Sequence, residues 1–260
     1  MDSRKCHSRN CLENKRTLIV VGADSSIGDV LVPELIEQYE DVILTEVPAA
    51  YGGLVEKYRE YAGEAKLHLQ ELDVRSKEHI HNLEVYIDEN GLVIDSLIYL
   101  AGINILAPAL EVTEDIWDRV MEINLKGFFF MARMVANNMI LNGGGSILGV
   151  ASQHGVVANI DRAAYCASKA GMIHLAKELA LEWARYGIRV NVVSPTMILS
   201  EKNKDMLEGA RAKKEYLAKI PLKKYAVPED ISAAILFLNS EKAAMMTGQN
   251  MIIDGGWTIC

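Results

Sequence analysis

Short apolar runs alternate with longer amphipathic stretches along most of the chain. Seven of these runs have the length of a strand, namely 17–21, 42–45, 66–72, 96–100, 146–150, 189–194 and 249–253. Apolar strands separated by helical segments are typical of a parallel sheet whose crossover connections are helices. The pattern therefore predicts an α/β fold with a doubly wound, predominantly parallel seven-stranded sheet and helices on both faces.

Helix boundaries are marked by local signals. Thr113-Glu114-Asp115 opens one helix with a capping hydroxyl before two acids, and Pro228-Glu229-Asp230 opens another with a proline. A long helix over 165–186 is expected to end at Gly187. With 260 residues, 50% of them hydrophobic, the chain is expected to form a single domain over 17–260.

Residues 1–16 are polar and are predicted to form a flexible N-terminal leader. Cys6, His7 and Cys11 supply three candidate zinc ligands where a structural site needs four, so no metal site is predicted, and the role of the leader stays open. Together with Cys166 and Cys260, these cysteines are too few for a disulfide framework. Free thiols in a reducing compartment, the cytoplasm, are therefore expected.

Charge and hydropathy exclude two classes of partner. The formal net charge of -8 opposes binding to polyanions, and no basic stripe offsets it, so nucleic acid is not an expected partner. No apolar run approaches the roughly 20 residues of a membrane span, and the chain does not open on the apolar segment of a secretory signal. The expected partner is a small-molecule substrate.

A turn of small residues follows the first predicted strand and leads into a helix predicted over 27–39. Such a turn lets phosphates approach the backbone, and a helix N-terminus offers N–H groups and partial positive charge to them. The turn is thus a candidate pyrophosphate site of a Rossmann-type fold, although a tight turn without a ligand remains an alternative. The residues assigned to this site are Gly22, Ser25, Ser26, Ile27 and Gly28.

An acidic residue, Glu46, stands at the end of the second predicted strand, where a carboxylate can bind a ribose diol. The same carboxylate repels a 2′-phosphate, and neither Ser25 nor Val47 supplies a cation that would attract one. NAD(H) is therefore expected in preference to NADP(H). Asp73 and Val74 end the third run in the same way and are expected to border the adenine; an ordinary exposed acid is the alternative for Glu46.

Tyr165 and Lys169 stand four residues apart at the start of the long helix, which stacks their side chains on one face. A neighbouring ammonium lowers the pKa of a phenol and so makes it a usable proton carrier near neutral pH. Taken alone, such a pair is also common on solvated helix surfaces, and that alternative stays open.

From residue 17 to residue 257 the order of motifs resembles the short-chain dehydrogenase/reductase family. The matching motifs are Gly22 to Gly28 for the coenzyme loop, Asp73, Ala101-Gly102, Asn124, Ser152 thirteen residues before Tyr165, Lys169, Pro195 and Asp254-Gly255-Gly256. The resemblance implies that Tyr165 is the general acid or base, that Ser152 binds the same substrate oxygen, that Lys169 lowers the pKa of Tyr165 and holds the nicotinamide ribose, and that Asn124 positions a water. It also implies that Val74, Ala101, Gly102, Pro195 and Ile198 contact the coenzyme.

The chain departs from the family pattern at several positions. Val21 replaces a threonine, Ser26 the middle glycine of the coenzyme loop, Tyr99 and Leu100 two asparagines, and Thr196 a glycine. Ser26 affects expected coenzyme affinity, whereas Tyr99 and Leu100 affect local stability because polar links between the central strands are lost.

Substrate selection is expected from the loop 153–162 and from a lid at about 196–220, since the family uses these two segments. Ser152, His154, Asn159 and Tyr165 are the candidate substrate contacts, and Gln153 adds a further polar group. The alternative for His154 is a cap on local backbone. These groups favour a small or medium-sized polar substrate.

The sequence thus predicts an NAD-dependent oxidoreductase that interconverts a secondary alcohol and a ketone by hydride transfer. A 3-oxoacyl-thioester reductase is the close alternative, and a non-catalytic nucleotide sensor is the alternative from another class. Apolar helices over 127–141 and 165–186 pair between subunits in the family, so a homo-oligomer, a dimer or tetramer, is implied. Substrate identity, reaction direction and hydride face stay open.

Overall fold

A computed structural model of the chain describes residues 16–61 and 66–259. Seven parallel strands form one sheet in the order β3-β2-β1-β4-β5-β6-β7. The strands are β1 Arg16–Val21, β2 Asp41–Glu46, β3 Lys66–Glu71, β4 Val93–Tyr99, β5 Gly145–Val150, β6 Ile188–Pro195 and β7 Asn250–Ile253. This confirms the predicted fold class, and the winding direction reverses between β1 and β4.

Helices cover both faces of the sheet, as predicted. They are α1 Ser26–Ile36, α2 Pro48–Lys57, α3 Lys77–Glu89, α4 Glu114–Met121, α5 Phe128–Asn142, α6 Ala163–Trp183, α7 Lys204–Glu208, α8 Ala210–Glu215 and α9 Pro228–Asn239. Alternate residues of each strand face opposite layers. Ile19 and Val21 pack with α3, α5 and α6, whereas Leu18 and Val20 pack with α1, α2 and α9.

The predicted helix signals act where the sequence placed them. The Thr113 hydroxyl accepts the backbone N–H of Ile116 at 3.2 Å and so caps α4. At the start of α9, the Asp230 carboxylate accepts the N–H of Val227 at 3.0 Å. Helix α6 ends in a 3-10 turn and then at Gly187, whose φ of +76° suits glycine. Helix α1 ends three residues before the predicted boundary.

The segment predicted as a lid contains α7, α8 and a 3-10 turn over Leu217–Lys219. Most of the predicted leader, with Cys6 and Cys11, lies outside the described residues, as does Cys260; Arg16 already belongs to β1. Cys166 is a free thiol. Across 16–61 and 66–259, no helix combines the length and apolarity that crossing a bilayer requires.

Candidate active site

The loop between β1 and α1 is held tightly against its neighbours. Gly22 has a φ of +77°, and its N–H and that of Ala23 both donate to the Thr45 carbonyl at 3.1 Å. A Cβ on Gly22 would lie 2.9 Å from the backbone nitrogen of Ala101, and one on Gly28 would overlap the Ala23 carbonyl. Glycine is therefore required at both positions, because the loop has no room for a side chain there.

The loop fits a pyrophosphate. The Ser25 hydroxyl accepts the N–H of Gly28 at 3.0 Å and caps α1, so the first turn of an eleven-residue helix faces the crevice. Ser26 is the first residue of that helix, and Ile27 is buried beneath it. The five predicted residues therefore lie together at the carboxyl edge of the sheet, where an α/β fold binds its ligand.

Glu46 lies beside this loop at the end of β2. One carboxylate oxygen accepts the N–H of Val47 at 2.9 Å, and the other accepts the N–H of Asp24 at 3.2 Å. Both bonds hold the carboxylate between the strand end and the coenzyme loop. The carboxylate is therefore fixed at the strand end where the sequence predicts contact with a ribose diol.

An ion cluster next to Glu46 was not predicted from the sequence. The Lys57 ammonium bonds to Asp24 at 3.0 Å and to Asp29, and Lys202 lies 3.9 Å from Asp24. The bond from Lys57 lowers the pKa of the Asp24 carboxyl. Three carboxylates, counting Glu46, thus lie beside two ammonium groups. Sequence reasoning missed Lys57 because it belongs to α2, outside the loop motif.

Asp73 and Val74 follow β3 as predicted. The Asp73 carboxylate binds the Arg75 guanidinium, with a shortest distance of 2.6 Å, and this pairing lowers the pKa of Asp73. The N–H of Asp73 donates to His79 at 3.1 Å. Val74 is buried next to Gly127, so it links this strand end to the helix that carries Asn124.

Asn124 lies in a π-helical turn, Glu122–Gly127, that interrupts the helix formed by α4 and α5. Its amide oxygen accepts the N–H of Ile103 at 2.8 Å, and its nitrogen donates to the Ile103 carbonyl at 2.9 Å and to the Ser168 hydroxyl at 3.0 Å. Ser168 in turn donates to the Tyr165 carbonyl at 2.8 Å. Asn124 therefore ties the loop after β4, which contains Gly102, to the start of α6.

Tyr99, one of the departures from the family pattern, supports this turn. Its hydroxyl donates to the Ile123 carbonyl at 2.5 Å, directly before Asn124, and burial raises the pKa of the phenol. A Cβ on Gly127 would lie 2.5 Å from the same hydroxyl. The expectation that Tyr99 only removes polar links was thus incomplete, because its hydroxyl donates a hydrogen bond to a carbonyl within the π turn.

Ser152, Tyr165 and Lys169 converge between β5 and α6. The Ser152 hydroxyl accepts the N–H of His154 at 3.1 Å and hydrogen-bonds the side chain of Tyr165. The Lys169 ammonium lies 5.8 Å from the centroid of the Tyr165 ring and donates to the Val150 carbonyl at 2.7 Å. A Cβ on Gly102 would lie 3.2 Å from this ammonium and 3.4 Å from Asn124. The structure thus brings the four predicted catalytic residues together.

The predicted lowering of the Tyr165 pKa is not found. Burial raises the pKa of the phenol, while the hydrogen bond from Ser152 and the charge of Arg162 oppose the rise. Lys169 lies over the ring and bonds to a carbonyl, and burial lowers its own pKa to about 8. Both groups are desolvated, which favours their neutral forms. Tyr165 is therefore protonated at neutral pH.

In the loop after β5, Gln153 and His154 are buried and Asn159 is half-buried, and several of their polar atoms have no hydrogen-bond partner. Neither ring nitrogen of His154 and neither amide atom of Gln153 forms a hydrogen bond within the described part of the chain. Burial, and after it the charge of Arg162, lower the pKa of His154 to about 4, so the ring is neutral. The side-chain oxygen of Asn159 accepts the N–H of Ile160 at 3.0 Å. Its amide nitrogen has no hydrogen-bond partner among residues 16–61 and 66–259.

The end of β6 completes the site. Pro195 is the last residue of the strand, and the buried Thr196 hydroxyl has no partner within the described ranges. Ile198 pairs with Ala226, and its carbonyl accepts the side chain of Asn203 at 2.8 Å. These contacts place the beginning of the predicted lid at the same edge of the sheet as the coenzyme loop.

Comparisons with known proteins agree with this geometry. A family model described as enoyl-(acyl carrier protein) reductase matches residues 21–258. An NAD-dependent glycerol dehydrogenase of Listeria innocua is 38% identical over 248 residues, covering 94% of each chain. A 3-oxoacyl-[acyl-carrier-protein] reductase of Buchnera aphidicola is 33% identical over 242 residues, covering 93% of this chain and 97% of the relative. The solved structure of 4-hydroxyisoleucine dehydrogenase complexed with NADH is 31% identical, with a TM-score of 0.86 over 94% of this chain and 99% of its own.

Replacement of Lys169 by methionine tests the cost of burying its charge. Because the folded-state pKa of about 8 lies below the ordinary 10.5, the unfolded chain holds the proton more tightly, and wild-type stability rises with pH between these values. The lowered pKa corresponds to a destabilisation of the wild-type fold by about 3 kcal/mol at pH 7. Methionine removes this cost but also loses the hydrogen bond to Val150, which offsets roughly 1 kcal/mol of the gain. We expect Lys169→Met to be more stable than wild type by about 2 kcal/mol at pH 7, and less so at pH 9.5.

Urea unfolding at pH 7, 8.5 and 9.5, without added coenzyme, measures this difference. Lys177→Met, an exposed lysine on the same helix, is the control and should change stability little at any of these pH values. A Lys169→Met variant that is less stable than wild type by the same amount throughout would contradict the assigned burial cost.

Proposed function

We propose, on the premise that the chain belongs to the short-chain dehydrogenase/reductase family, that it is an NAD-dependent enzyme acting on a small or medium-sized polar alcohol or ketone. The chain is an oxidoreductase of this family. One observation carries the proposal: Tyr165, Ser152, Lys169 and Asn124 meet at the carboxyl edge of the sheet, beside a loop that fits a pyrophosphate.

In this proposal Tyr165 moves the proton. At neutral pH the phenol holds its proton, because burial raises its pKa, so it can donate to a carbonyl oxygen during reduction. During oxidation the phenol first gives its own proton up towards the solvent, and the phenolate so formed accepts the hydroxyl proton of the substrate. Ser152 hydrogen-bonds the same substrate oxygen and thereby fixes it next to the phenol. The nicotinamide coenzyme, when bound, supplies or accepts the hydride.

Lys169 and Asn124 hold the surroundings of the phenol in place. With a pKa of about 8, the Lys169 ammonium is charged at neutral pH, and one of its protons is donated to Val150. Its remaining N–H groups are available to ribose hydroxyls. Asn124 fixes the position of Ile103 and Ser168, and so the path along which a proton can leave towards the solvent.

Replacement of Tyr165 by phenylalanine removes the proton carrier but keeps the ring. We expect kcat to fall by about 10² to 10⁴, while the dissociation constant for NADH changes less than about threefold. Steady-state kinetics and fluorescence titration with NADH measure the two effects. Tyr186→Phe, on an exposed turn at the end of α6, is the matched control and should retain activity. Equal turnover by Tyr165→Phe would refute the assigned mechanism.

Coenzyme preference is proposed from the carboxylates that surround the ribose position. Glu46, Asp24 and Asp29 outnumber the two ammonium groups beside them, and Lys57 is engaged by two of the acids. A 2′-phosphate would meet net negative charge there. The glycerol dehydrogenase relative is NAD-dependent, and the 4-hydroxyisoleucine dehydrogenase is complexed with NADH, which supports the same choice.

Titration with NADH and NADPH tests this preference. We expect NADH to bind at least about tenfold more tightly, a difference of about 1.4 kcal/mol, and Glu46→Gln to reduce the ratio. Glu71→Gln is the matched control, because Glu71 ends the neighbouring strand and pairs in register with Glu46. Tighter binding of NADPH by the wild-type chain would overturn the assignment.

A polar substrate is supported by the unpaired amide and imidazole groups of Gln153, His154 and Asn159. Buried polar atoms without partners favour a ligand that hydrogen-bonds them, such as a molecule with several hydroxyl groups. The 3-oxoacyl-thioester reductase remains the second candidate, since a reductase of that kind matches nearly the whole chain. Turnover of acetoacetyl thioesters in preference to polyols would favour it. The complete catalytic set argues against a sensor without activity.

We propose that the chain forms a homo-oligomer, a dimer or tetramer, and that the groove between α4, the π turn and α6 is a subunit interface. The groove has a volume of about 740 Å³ and is lined by Met121, Leu125, Phe129 and Leu175 together with charged residues at its rim. Apolar surfaces of this kind mark protein interfaces. In the family the corresponding helices pair between subunits.

Sedimentation velocity at micromolar concentration measures the oligomeric state. We expect a dimer or tetramer for the wild-type chain, and Leu175→Glu should shift it towards monomer, because a new carboxylate would be buried beside Glu178. Val85→Glu on α3 is the control for a charge placed outside the groove. A wild-type monomer would contradict the proposal.

A further inference from the structure

Arg162, the residue directly before α6, is a buried cation. Its exposed fraction is 6%, its Nη1 group donates to the Ile160 carbonyl at 2.9 Å, and its Nη2 group donates to the Tyr216 hydroxyl at 3.2 Å. The Nε atom is buried and has no hydrogen-bond partner in 16–61 or 66–259. Within these ranges no carboxylate lies at ion-pair distance from the guanidinium.

The buried guanidinium of Arg162 lacks an anionic partner among the described residues. Buried charges are costly and are normally paired with an opposite charge, and arginine is rarely buried without such a partner. Two of the five N–H groups of Arg162 are used, by Ile160 and Tyr216, and both acceptors are neutral. The edge formed by Nε and Nη2 keeps unused donors in the fork geometry that binds a carboxylate or a phosphate, although Nε is shielded from solvent in this structure.

The guanidinium lies close to the proposed chemistry. Arg162 stands three residues before Tyr165, and its charge opposes the rise in the pKa of Tyr165 and adds to the lowering of the pKa of His154. Its contact with Tyr216 joins the loop after β5 to the lid. A ligand bound by the Nε–Nη2 edge of Arg162 would therefore lie close to the phenol and to the unpaired atoms of His154.

A second cation, Lys219, lies near His154. Trp257 packs edge-on against the imidazole with ring centroids 5.9 Å apart, and the Lys219 ammonium lies 5.3 Å from the Trp257 ring. Lys219 also lowers the pKa of His154, and together with Lys223 and Trp257 it lines a cavity of about 320 Å³. Among the described residues no carboxylate pairs with Lys219 or Lys223.

The acid next to this cavity is already engaged. The Asp254 carboxylate accepts the backbone N–H of Gly256 at 2.8 Å and that of Thr258 at 2.7 Å. The surroundings of His154 thus carry an excess of positive charge in a chain whose net charge is -8. Local potential of this sign attracts an anionic group.

We propose that Arg162, assisted by Lys219, binds an anionic group of the substrate, a carboxylate or a phosphate, while Tyr165 and Ser152 hold the reacting oxygen. The proposal rests on the proposed function and narrows its substrate class to hydroxy or oxo acids and phosphorylated polyols. Neutral polyols would leave the guanidinium unpaired and are poorer ligands. Arg162 contacts Tyr216 of the lid and, in this proposal, also the anion. Binding of the anion is therefore coupled to the position of the lid.

Calorimetric titration of the NADH-saturated protein tests the proposal without requiring turnover. The probes are D-gluconate, D-sorbitol and D-sorbitol 6-phosphate, which share one carbon chain length and differ in the anionic group. We expect at least one of the anions to bind about tenfold or more tightly than D-sorbitol, and the comparison of the two anions distinguishes a carboxylate from a phosphate site.

Variants assign the effect to Arg162. Arg162→Gln should weaken binding of the preferred anion by about 10-fold to 100-fold and leave that of sorbitol within about twofold, and Arg162→Lys should recover part of the loss. Arg185→Gln, which removes an arginine stacked on Tyr186 at the far end of α6, is the matched control. Tyr216→Phe reports on the lid contact alone and should weaken the anion much less than Arg162→Gln does.

Three results would overturn the proposal. The first is equal affinity of the wild-type chain for sorbitol and for both anions, and the second is no binding of either anion. The third is an equal loss of affinity for sorbitol and for the anion in Arg162→Gln, which would assign Arg162 to holding the lid. The proposed function fails separately: if anion binding depends on Arg162 but no alcohol or ketone is turned over with NAD or NADH, the anion site stands and the redox assignment is withdrawn.

Discussion

The parallel pairing of β1 with β4 is the contact on which the site depends. The Val21 carbonyl, at the end of β1, accepts the N–H groups of both Leu100 and Ala101, at 2.9 and 3.0 Å. The two loops that leave these strands therefore begin side by side, and Gly22 touches Ala101 so closely that no side chain fits between them. The reversal of winding at this pair opens the crevice into which the coenzyme loop and the catalytic residues all face.

Desolvation sets the charge states within that crevice. Tyr165 and Lys169 both shift towards their neutral forms, one by a raised pKa and the other by a pKa lowered to about 8. The Tyr165 phenol is thus protonated and can act as a proton donor, and the Lys169 amine is charged only at neutral pH and below. Neutral His154 and cationic Arg162 continue the same arrangement towards the lid. The site is therefore poor in negative charge, in contrast to the acidic coenzyme end around Glu46.

Much of the fold could be predicted from the sequence because it follows from local periodicity. The apolar runs gave all seven strands, and Thr113, Pro228 and Gly187 marked helix ends through capping rules that act over a few residues. The predicted catalytic residues come together because motif order fixes which strand ends they follow. Lys57 and Arg162 were missed, since their roles depend on partners from distant parts of the chain. The pKa of Tyr165 was misjudged because burial of a side chain is not visible in spacing.

The contact between Tyr99 and the π turn ties together three positions that are far apart in the chain. The Tyr99 hydroxyl and the Val74 side chain both lie next to Gly127, so a Cβ at 127 would collide with both neighbours. A larger residue at 127 is compatible only with smaller ones at 99 and 74. Homologues are therefore expected to vary at these positions jointly, either keeping the aromatic–glycine combination or exchanging it as a unit. The residues that the helix carrying Asn124 can accept are in this way limited by Tyr99 at the end of β4.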